Sequence, residues 1–218
     1  MELVYKGIRK GFVLVSIREV DSAEKEIIND IVAIHMETFP EFFLTFMGKG
    51  FLKQMYCSYC GHKKSGLLVA EENGKPVGFL AFSTDFSGLY KFMIRTRLIC
   101  FAWFSILAFL RRPLSLFHIL AAFFKPKEVA RDEKYVELSS IGVKPTIKNQ
   151  GVGSKLIEAL KEKVNFNEFQ YITLETDAID NEAAICFYEK NGFVKRRMYE
   201  TKESRKMYEY IYEEKTYL

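Results

Sequence analysis

Ile141-Gly-Val-Lys-Pro-Thr-Ile-Lys-Asn-Gln-Gly-Val-Gly-Ser-Lys-Leu-Ile-Glu-Ala-Leu160 is the stretch whose reading decides the fold. A short apolar strand ends near Val143, Pro145 breaks it, and the spacing predicts a helix from about Gly151. Leu156, Ile157 and Leu160 recur on one side of that helix. Lys148, Asn149, Gln150, Gly151, Val152, Gly153 and Ser154 therefore sit where backbone amides are unpaired and the helix field is positive. Two glycines let a ligand come close to the main chain, so the turn can hold a phosphate or pyrophosphate. The same glycines also suit a plain turn. The Walker A pattern is absent, and Gly151-Val152-Gly153 lacks the third glycine of a dinucleotide fingerprint.

The flanks narrow this reading. Lys148-x-x-Gly151-x-Gly153 resembles the Arg/Gln-x-x-Gly-x-Gly/Ala acetyl-CoA signature of GNAT-type N-acetyltransferases. Leu138-Ser-Ser-Ile-Gly-Val143 before it is similar to that family's central splayed strand. Tyr171-Ile-Thr-Leu-Glu-Thr176 and then Asn181-Glu-Ala-Ala-Ile-Cys-Phe-Tyr-Glu-Lys-Asn-Gly-Phe193 resemble its closing strand and helix. One departure stands out: Lys148 replaces the usual arginine or glutamine, which keeps a charge but loses the guanidinium's rigid donor fork.

The resemblance implies an α/β (α+β) fold, a mixed and mostly antiparallel sheet with helices on both faces. It implies acetyl-CoA as co-substrate and an amine as acceptor. Backbone groups of Ser140, Ile141, Gly142 and Val143 would pair with the pantetheine arm, and amides from Asn149 to Ser154 would hold the pyrophosphate. Asn181 matches a coenzyme contact and Tyr188 the proton donor to the departing thiolate. A phenol suits that role because it keeps its proton at neutral pH. Phe187 and Tyr188 suit equally a helix packed onto a sheet.

Three residues compete as general base. Glu137 opens the central strand, near where some relatives carry a glutamate. His35 has the right pKa class and would face an acceptor groove from its helix. Glu71 ends a strand. Cys57-Ser-Tyr-Cys-Gly-His62 offers three zinc ligands, but nothing completes a tetrahedron, so no metal is expected. Cys186 has no histidine nearby in sequence to activate it.

The 218 residues suffice for one good core, and 49% hydrophobic composition argues against disorder. The expectation is one domain over 1–218. The four cysteines do not resemble a disulfide framework and no signal peptide opens the chain, so a reducing cytoplasm is expected. Charge is unevenly spread. Between Leu89 and Arg131 eight basic residues face a single acid, Glu128, a net +7 within a chain of +4, which leaves −3 elsewhere.

In chain order, Gly11–Glu19 alternates as a strand with Val13, Val15 and Ile17 on one face. Asp21 is placed to cap a helix from Ala23, with Glu24 closing a capping box, and Ile27, Ile28, Ile31, Ile34 and His35 form its inner face. A second helical pattern runs from Phe43 to Ser58 with breaks at Gly48 and Gly50. Leu67–Glu71 and Pro76–Phe82 flank Asn73-Gly74 as a hairpin. Tyr135–Val143, Tyr171–Glu175, Phe193–Glu200 and Lys206–Tyr212 read as strands. Val152–Asn165 and Asn181–Lys190 read as helices, the latter with Asp180 as cap.

The segment 89–131 is extra to the GNAT pattern. Leu98–Leu110 and Pro113–Phe124 are uncharged runs of 13 and 12 residues, split by Arg111-Arg112. They predict a helical hairpin too short to cross a bilayer of roughly 20 residues' helical span. Such an insert can be a lid, a homodimer contact, or a contact with the inner face of a membrane, where arginines meet anionic headgroups. Nucleic acid is disfavoured because long apolar runs separate the charges. The competing functional class is an acyl-CoA-binding or docking subunit without catalysis.

Overall fold

The computed structural model describes residues 3–4, 14–111, 133–201 and 204–214. Among them, eight strands form one sheet: β1 (Leu3–Val4), β2 (Ser16–Glu19), β3 (Ser65–Glu72), β4 (Lys75–Ser83), β5 (Tyr135–Val143), β6 (Tyr171–Asp177), β7 (Val194–Glu200) and β8 (Lys206–Tyr212). Their order is β1-β2-β3-β4-β5-β6-β8-β7, and every neighbouring pair is antiparallel except β5 with β6. The helices are α1 (Lys25–Thr38), α2 (Phe43–Phe46), α3 (Lys49–Gly61), α4 (Phe86–Arg111), α5 (Val152–Lys163) and α6 (Glu182–Lys190).

Strand alternation divides the core in two. On β4, Phe79 and Ala81 join Ile28, Ile31, Leu52 and Tyr56 beneath α1 and α3. Leu80 and Phe82 point the other way and join Leu156, Ile157 and Leu160 of α5. The sheet is therefore covered on both faces, as the expected fold class requires.

Local chemistry explains most boundaries. Asn73 (φ 51°) and Gly74 (φ 74°) are both left-handed, the requirement of a two-residue turn between β3 and β4. Gly48 (φ 87°) separates α2 from α3. Gly50, read from sequence as a second break, lies inside α3. Its missing side chain makes room for α4, since a Cβ there would sit 2.1 Å from the Phe104 ring. α6 ends at Gly192 (φ 83°), where the Phe193 N–H reaches the Tyr188 carbonyl and the Gly192 N–H that of Glu189. This is a Schellman closure, completed by contact between the Phe193 and Tyr188 rings.

The expected capping box forms: the Asp21 carboxylate accepts the Ala23 N–H and Glu24 accepts the Asp21 N–H, although regular α1 starts at Lys25 rather than Ala23. Asp180 does not cap α6: it is left-handed (φ 54°), and Asn181 holds the N-cap position.

The insert also departs from expectation. Its helix begins at Phe86, well before Leu98, because Asp85 accepts the Gly88 N–H and ends the β4 connection with a cap. It continues to Arg111 with a break at Arg97 (φ −138°), whose guanidinium is bonded to Gln54 of α3. The predicted second arm, Pro113–Phe124, lies outside the described residues, as do Gly11–Val13 and Lys202-Glu203.

Two irregularities interrupt the middle of the sheet. Ala81 faces Ser140 but Phe82 faces Leu138, so Ser139 is an extra residue in β5, a β-bulge. And β5 pairs with β6 only at Tyr135–Tyr171, Val136–Ile172 and Glu137–Thr173. Beyond Glu137 the two strands part.

Gly142 lies just past the bulge. A Cβ there would fall 2.7 Å from the Phe79 ring, which is fully buried and has nowhere to swing, and 3.3 Å from Phe39. Gly142→Ala is expected to destabilise the fold by about 1–3 kcal/mol. Urea unfolding measures it, and an unchanged midpoint would show that this packing is looser than described.

Candidate active site

Where β5 leaves β6, each keeps its outer partner. β4 remains bonded to β5 as far as Val143, and β8 remains bonded to β6 as far as Asp177. The facing edges, Leu138–Val143 and Leu174–Asp177, have no strand between them. Backbone N–H and C=O groups along such an edge need partners. An extended, amide-bearing chain fits the opening.

The open end of this V leads to the start of α5. After Val143 comes a single 3-10 turn, Pro145–Ile147, then left-handed Asn149 (φ 65°) and left-handed Gly151 (φ 81°, ψ 0°), the N-cap residue of α5. No side chain caps that helix. The N–H groups of Val152, Gly153 and Ser154 thus open onto the turn with the helix dipole behind them. Gly153 lies where three elements converge: a Cβ there would be 3.0 Å from the Phe187 ring of α6 and 3.8 Å from Val143 of β5. Lys148 and Asn149 are exposed beside the turn, and Gln150 is half-buried.

α6 places its residues through its two ends. At the start, the Asn181 amide donates to Thr176 Oγ1 (2.7 Å) and to the Asp177 carbonyl (3.1 Å), fixing the helix to the far tip of β6. At the other end the Schellman closure fixes Tyr188, whose ring packs against Phe187, Phe193 and Tyr210. Burial pushes the Tyr188 phenol up to about 12, so it carries its proton at any physiological pH. Cys186, two residues earlier, is exposed.

On the opposite face the bulge changes what β5 presents. Val136, Leu138, Ile141 and Val143 pack towards α5. Glu137 and Ser140 pair with Ser83 and Ala81 and so face the α1–α3 layer. There α3 contributes Tyr56 and Tyr59, three residues apart and hence neighbours on its surface. The Tyr56 hydroxyl lies close to Ser140 and 2.7 Å from His35 Nδ1. Tyr59 approaches Ser139, and its phenol is raised first by burial and further by the charge of Glu137. Glu137 itself is half-buried at the last paired position of the V. Neither tyrosine stands out in the sequence, where both continue the apolar face of α3. The Ser139-Ser140 doublet inside an apolar strand was the available signal.

The three base candidates thus have different surroundings. His35 is 1% exposed, enclosed by Phe39, Phe42, Tyr56 and Phe79 rather than facing a groove, and its Nε2 has no partner among the described residues. Burial lowers its pKa to about 4, so it is neutral at physiological pH. Glu71 is held by two hydrogen bonds from Arg18, which also binds Glu24. It serves an ion pair beside the β3–β4 turn, far from the V. Of the three, only Glu137 lies at the V, at the point where its strands part.

The zinc reading does not assemble. Cys57 is buried in the α3 core, the Cys60 thiol is pushed up to about 12 chiefly by burial, and His62 Nδ1 is bonded to Ser65 Oγ. Among the described residues no group of His, Cys, Asp or Glu has metal-binding geometry.

The sequence pattern of the acetyltransferase (GNAT) family matches residues 28–193, well over half of the chain. No curated protein matches it in sequence. Solved structures with the same fold include an N-acetyltransferase from Staphylococcus aureus Mu50, 17% identical, covering 91% of this chain and 98% of its own, at a TM-score of 0.56. An acetyltransferase of the GNAT family from Bacillus cereus ATCC 10987 is 14% identical, covering 93% and 99%, at 0.57. Aminoglycoside 6′-acetyltransferase type Ii is 14% identical, covering 90% and 96%, at 0.58.

His35 also makes a stability prediction. Its folded pKa of about 4 lies below the unfolded value of 6.5, so the unfolded chain binds the proton first. Stability is complete above pH 6.5 and falls as pH drops towards 4, by about 3 kcal/mol at most. Urea melts across that window should show the loss, and His35→Phe should remove this share of it. An equally steep slope in the variant would assign the dependence to other groups.

Proposed function

As the chain belongs to the acetyltransferase (GNAT) family, whose members take the acetyl group from acetyl-CoA, we propose that it transfers that group directly to the primary amine of a small molecule. An amino sugar or a lipid-linked amine is the acceptor class that suits its basic, apolar insert. The observation that carries this reading is the alignment of the parted β5 and β6 edges with the uncapped N-terminus of α5. One continuous track then offers strand-like pairing for a pantetheine arm and backbone amides for a pyrophosphate.

In this reading Ser140, Ile141, Gly142 and Val143 pair with the pantetheine through their main chain. The amides of Asn149 to Ser154 hold the pyrophosphate, with Lys148 adding charge from the rim. Asn181 acts by fixing α6 to the tip of β6, since its amide nitrogen is already bonded there. The acceptor amine attacks the thioester carbon, forming the C–N bond as the C–S bond breaks. Backbone donors of β5 at the opening stabilise the oxyanion. Glu137 takes the amine's proton, directly or through one water, and Tyr188 gives its proton to the thiolate. His35 positions Tyr56, and through it Ser140, rather than exchanging protons with substrate. Holding both substrates in one cleft supplies the orientation advantage, with no acyl-enzyme. The reaction would take place in the cytoplasm, with the chain free or peripheral on the membrane's inner face.

Two substitutions separate donor binding from chemistry. Gly151→Val forces a side chain into the left-handed region at the pyrophosphate turn. It should weaken acetyl-CoA binding by about tenfold or more in isothermal titration, the worth of one or two lost charge-assisted bonds. Full affinity in a folded variant would remove the turn from the donor site. Tyr188→Phe should lower kcat about a hundredfold while acetyl-CoA affinity is kept, read as free thiol released over pooled amines. An unchanged kcat would sink its role as acid. Glu137→Gln should displace the alkaline-rising limb of the pH–rate profile, and an unmoved limb would dismiss Glu137 as base. Acetyl-CoA binding with no turnover on any amine would favour the non-catalytic alternative.

A further inference from the structure

Among the described residues, α4 is apolar on more sides than its neighbours cover. Its inner side packs on α3: Phe101 meets Phe51 at a ring separation of 4.8 Å, Phe104 fills the space over Gly50, and Ala108 is buried. Its outer side carries Ile94 (42% exposed), Leu98 (57%), Ile99 (84%), Trp103 (60%), Ile106 (54%) and Leu110 (72%). Past the break at Arg97, the last four recur every three or four residues, a continuous stripe on one helix face. An isolated exposed leucine is ordinary, but six large apolar side chains on one helix mark a contact surface.

Charge selects the partner. From Phe86 to Arg111 there is no aspartate or glutamate, and Lys91 and Arg95, on the same helix before the stripe, are exposed. A second copy would set one basic face against another. A nucleic acid would gain nothing from the aliphatic stripe. An anionic lipid surface satisfies both features, with aliphatic side chains in the acyl boundary and cations among the headgroups. Trp103, the sole tryptophan of the chain, has the amphipathic ring that favours that boundary. Crossing is not implied, since no helix among the described residues is long and apolar enough to span a membrane.

We propose that the outer face of α4 docks this protein on anionic lipid, with Ile99, Trp103, Ile106 and Leu110 entering the interface and Lys91 and Arg95 reading the headgroup charge. This inference stands apart from the catalytic reading, because it requires neither coenzyme nor acceptor.

The test uses the full chain with vesicles of phosphatidylcholine alone or mixed with phosphatidylglycerol. Co-sedimentation measures binding and the emission of Trp103, unique in the chain, measures burial of the stripe. The mixed vesicles should bind the protein and shift Trp103 emission to the blue, less so at high salt. Lys91→Gln with Arg95→Gln should weaken binding about fivefold per charge. Ile99→Glu with Ile106→Glu alters only exposed positions and should abolish vesicle binding while acetyl-CoA affinity is retained. Absent binding, equal binding to neutral vesicles, or binding that survives the glutamate pair would each overturn the proposal. So would a full-length dimer that ignores vesicles and is split by the glutamate pair, which would make this face a contact between copies.

Discussion

A parallel strand pair that is bonded for three residues and then separates must give its freed backbone groups some other partner. Each such group, if buried and unmet, costs about 1–3 kcal/mol. Here the separation is held from outside: β4 keeps β5 in register to Val143, and β8 keeps β6 to Asp177, so neither strand can swing back to close the gap. α5 packs under one half through Leu156, Ile157 and Leu160, and the rings of α6 brace the other. The cleft is thus a consequence of sheet register rather than of loop placement. Its two ends differ in kind: one is closed by the Glu137–Thr173 pair, the other opens on the amides of α5.

The bulge at Ser139 supplies the second half of the design. A regular strand would send Ser140 to the α5 side, into aliphatic surroundings. With one residue inserted, Ser140 turns instead to Tyr56 and His35, and Glu137 shares its face with Tyr59. A polar cluster between β5 and α1 results, within a layer that is otherwise apolar. Burial keeps its histidine neutral, so the cluster holds geometry without holding charge. Gly142 belongs to the same local constraint, since Phe79 and Phe39 crowd the position where a side chain would be.

Much of this was legible before any coordinates. β5 begins and ends where its apolar pattern does, because Pro145 gives an unambiguous stop. The Asn73-Gly74 hairpin and the Gly192-Phe193 closure were equally direct, since few residues tolerate those backbone angles. The features that stayed hidden depend on non-local contacts. Nothing in the local pattern distinguishes Gly48, which breaks a helix, from Gly50, which admits a ring from α4. His35 has the pKa class of a base, and only the four aromatic rings around it show that it is sealed in. Asp180 looks like a cap until its left-handed backbone passes the role to Asn181. The bulge is invisible because its evidence is a register, which belongs to two strands at once.

The place where the insert joins the sheet is set by the same register. α4 leaves β4 just past Ser83, which pairs with Glu137, whereas the glycine turn before α5 comes after Val143, which pairs with Gly78. Six residues of strand, about 20 Å, separate the two ends. The insert is therefore attached at the closed end of the V, beside Glu137 and the tyrosines of α3, and away from the turn that the nucleotide end of a coenzyme would occupy. On the proposed reading, an insertion at this end would bear on the acceptor and leave the donor turn unchanged. Packing of α4 on α3 rather than on α5 keeps that division, because the two helices lie on opposite faces of the sheet.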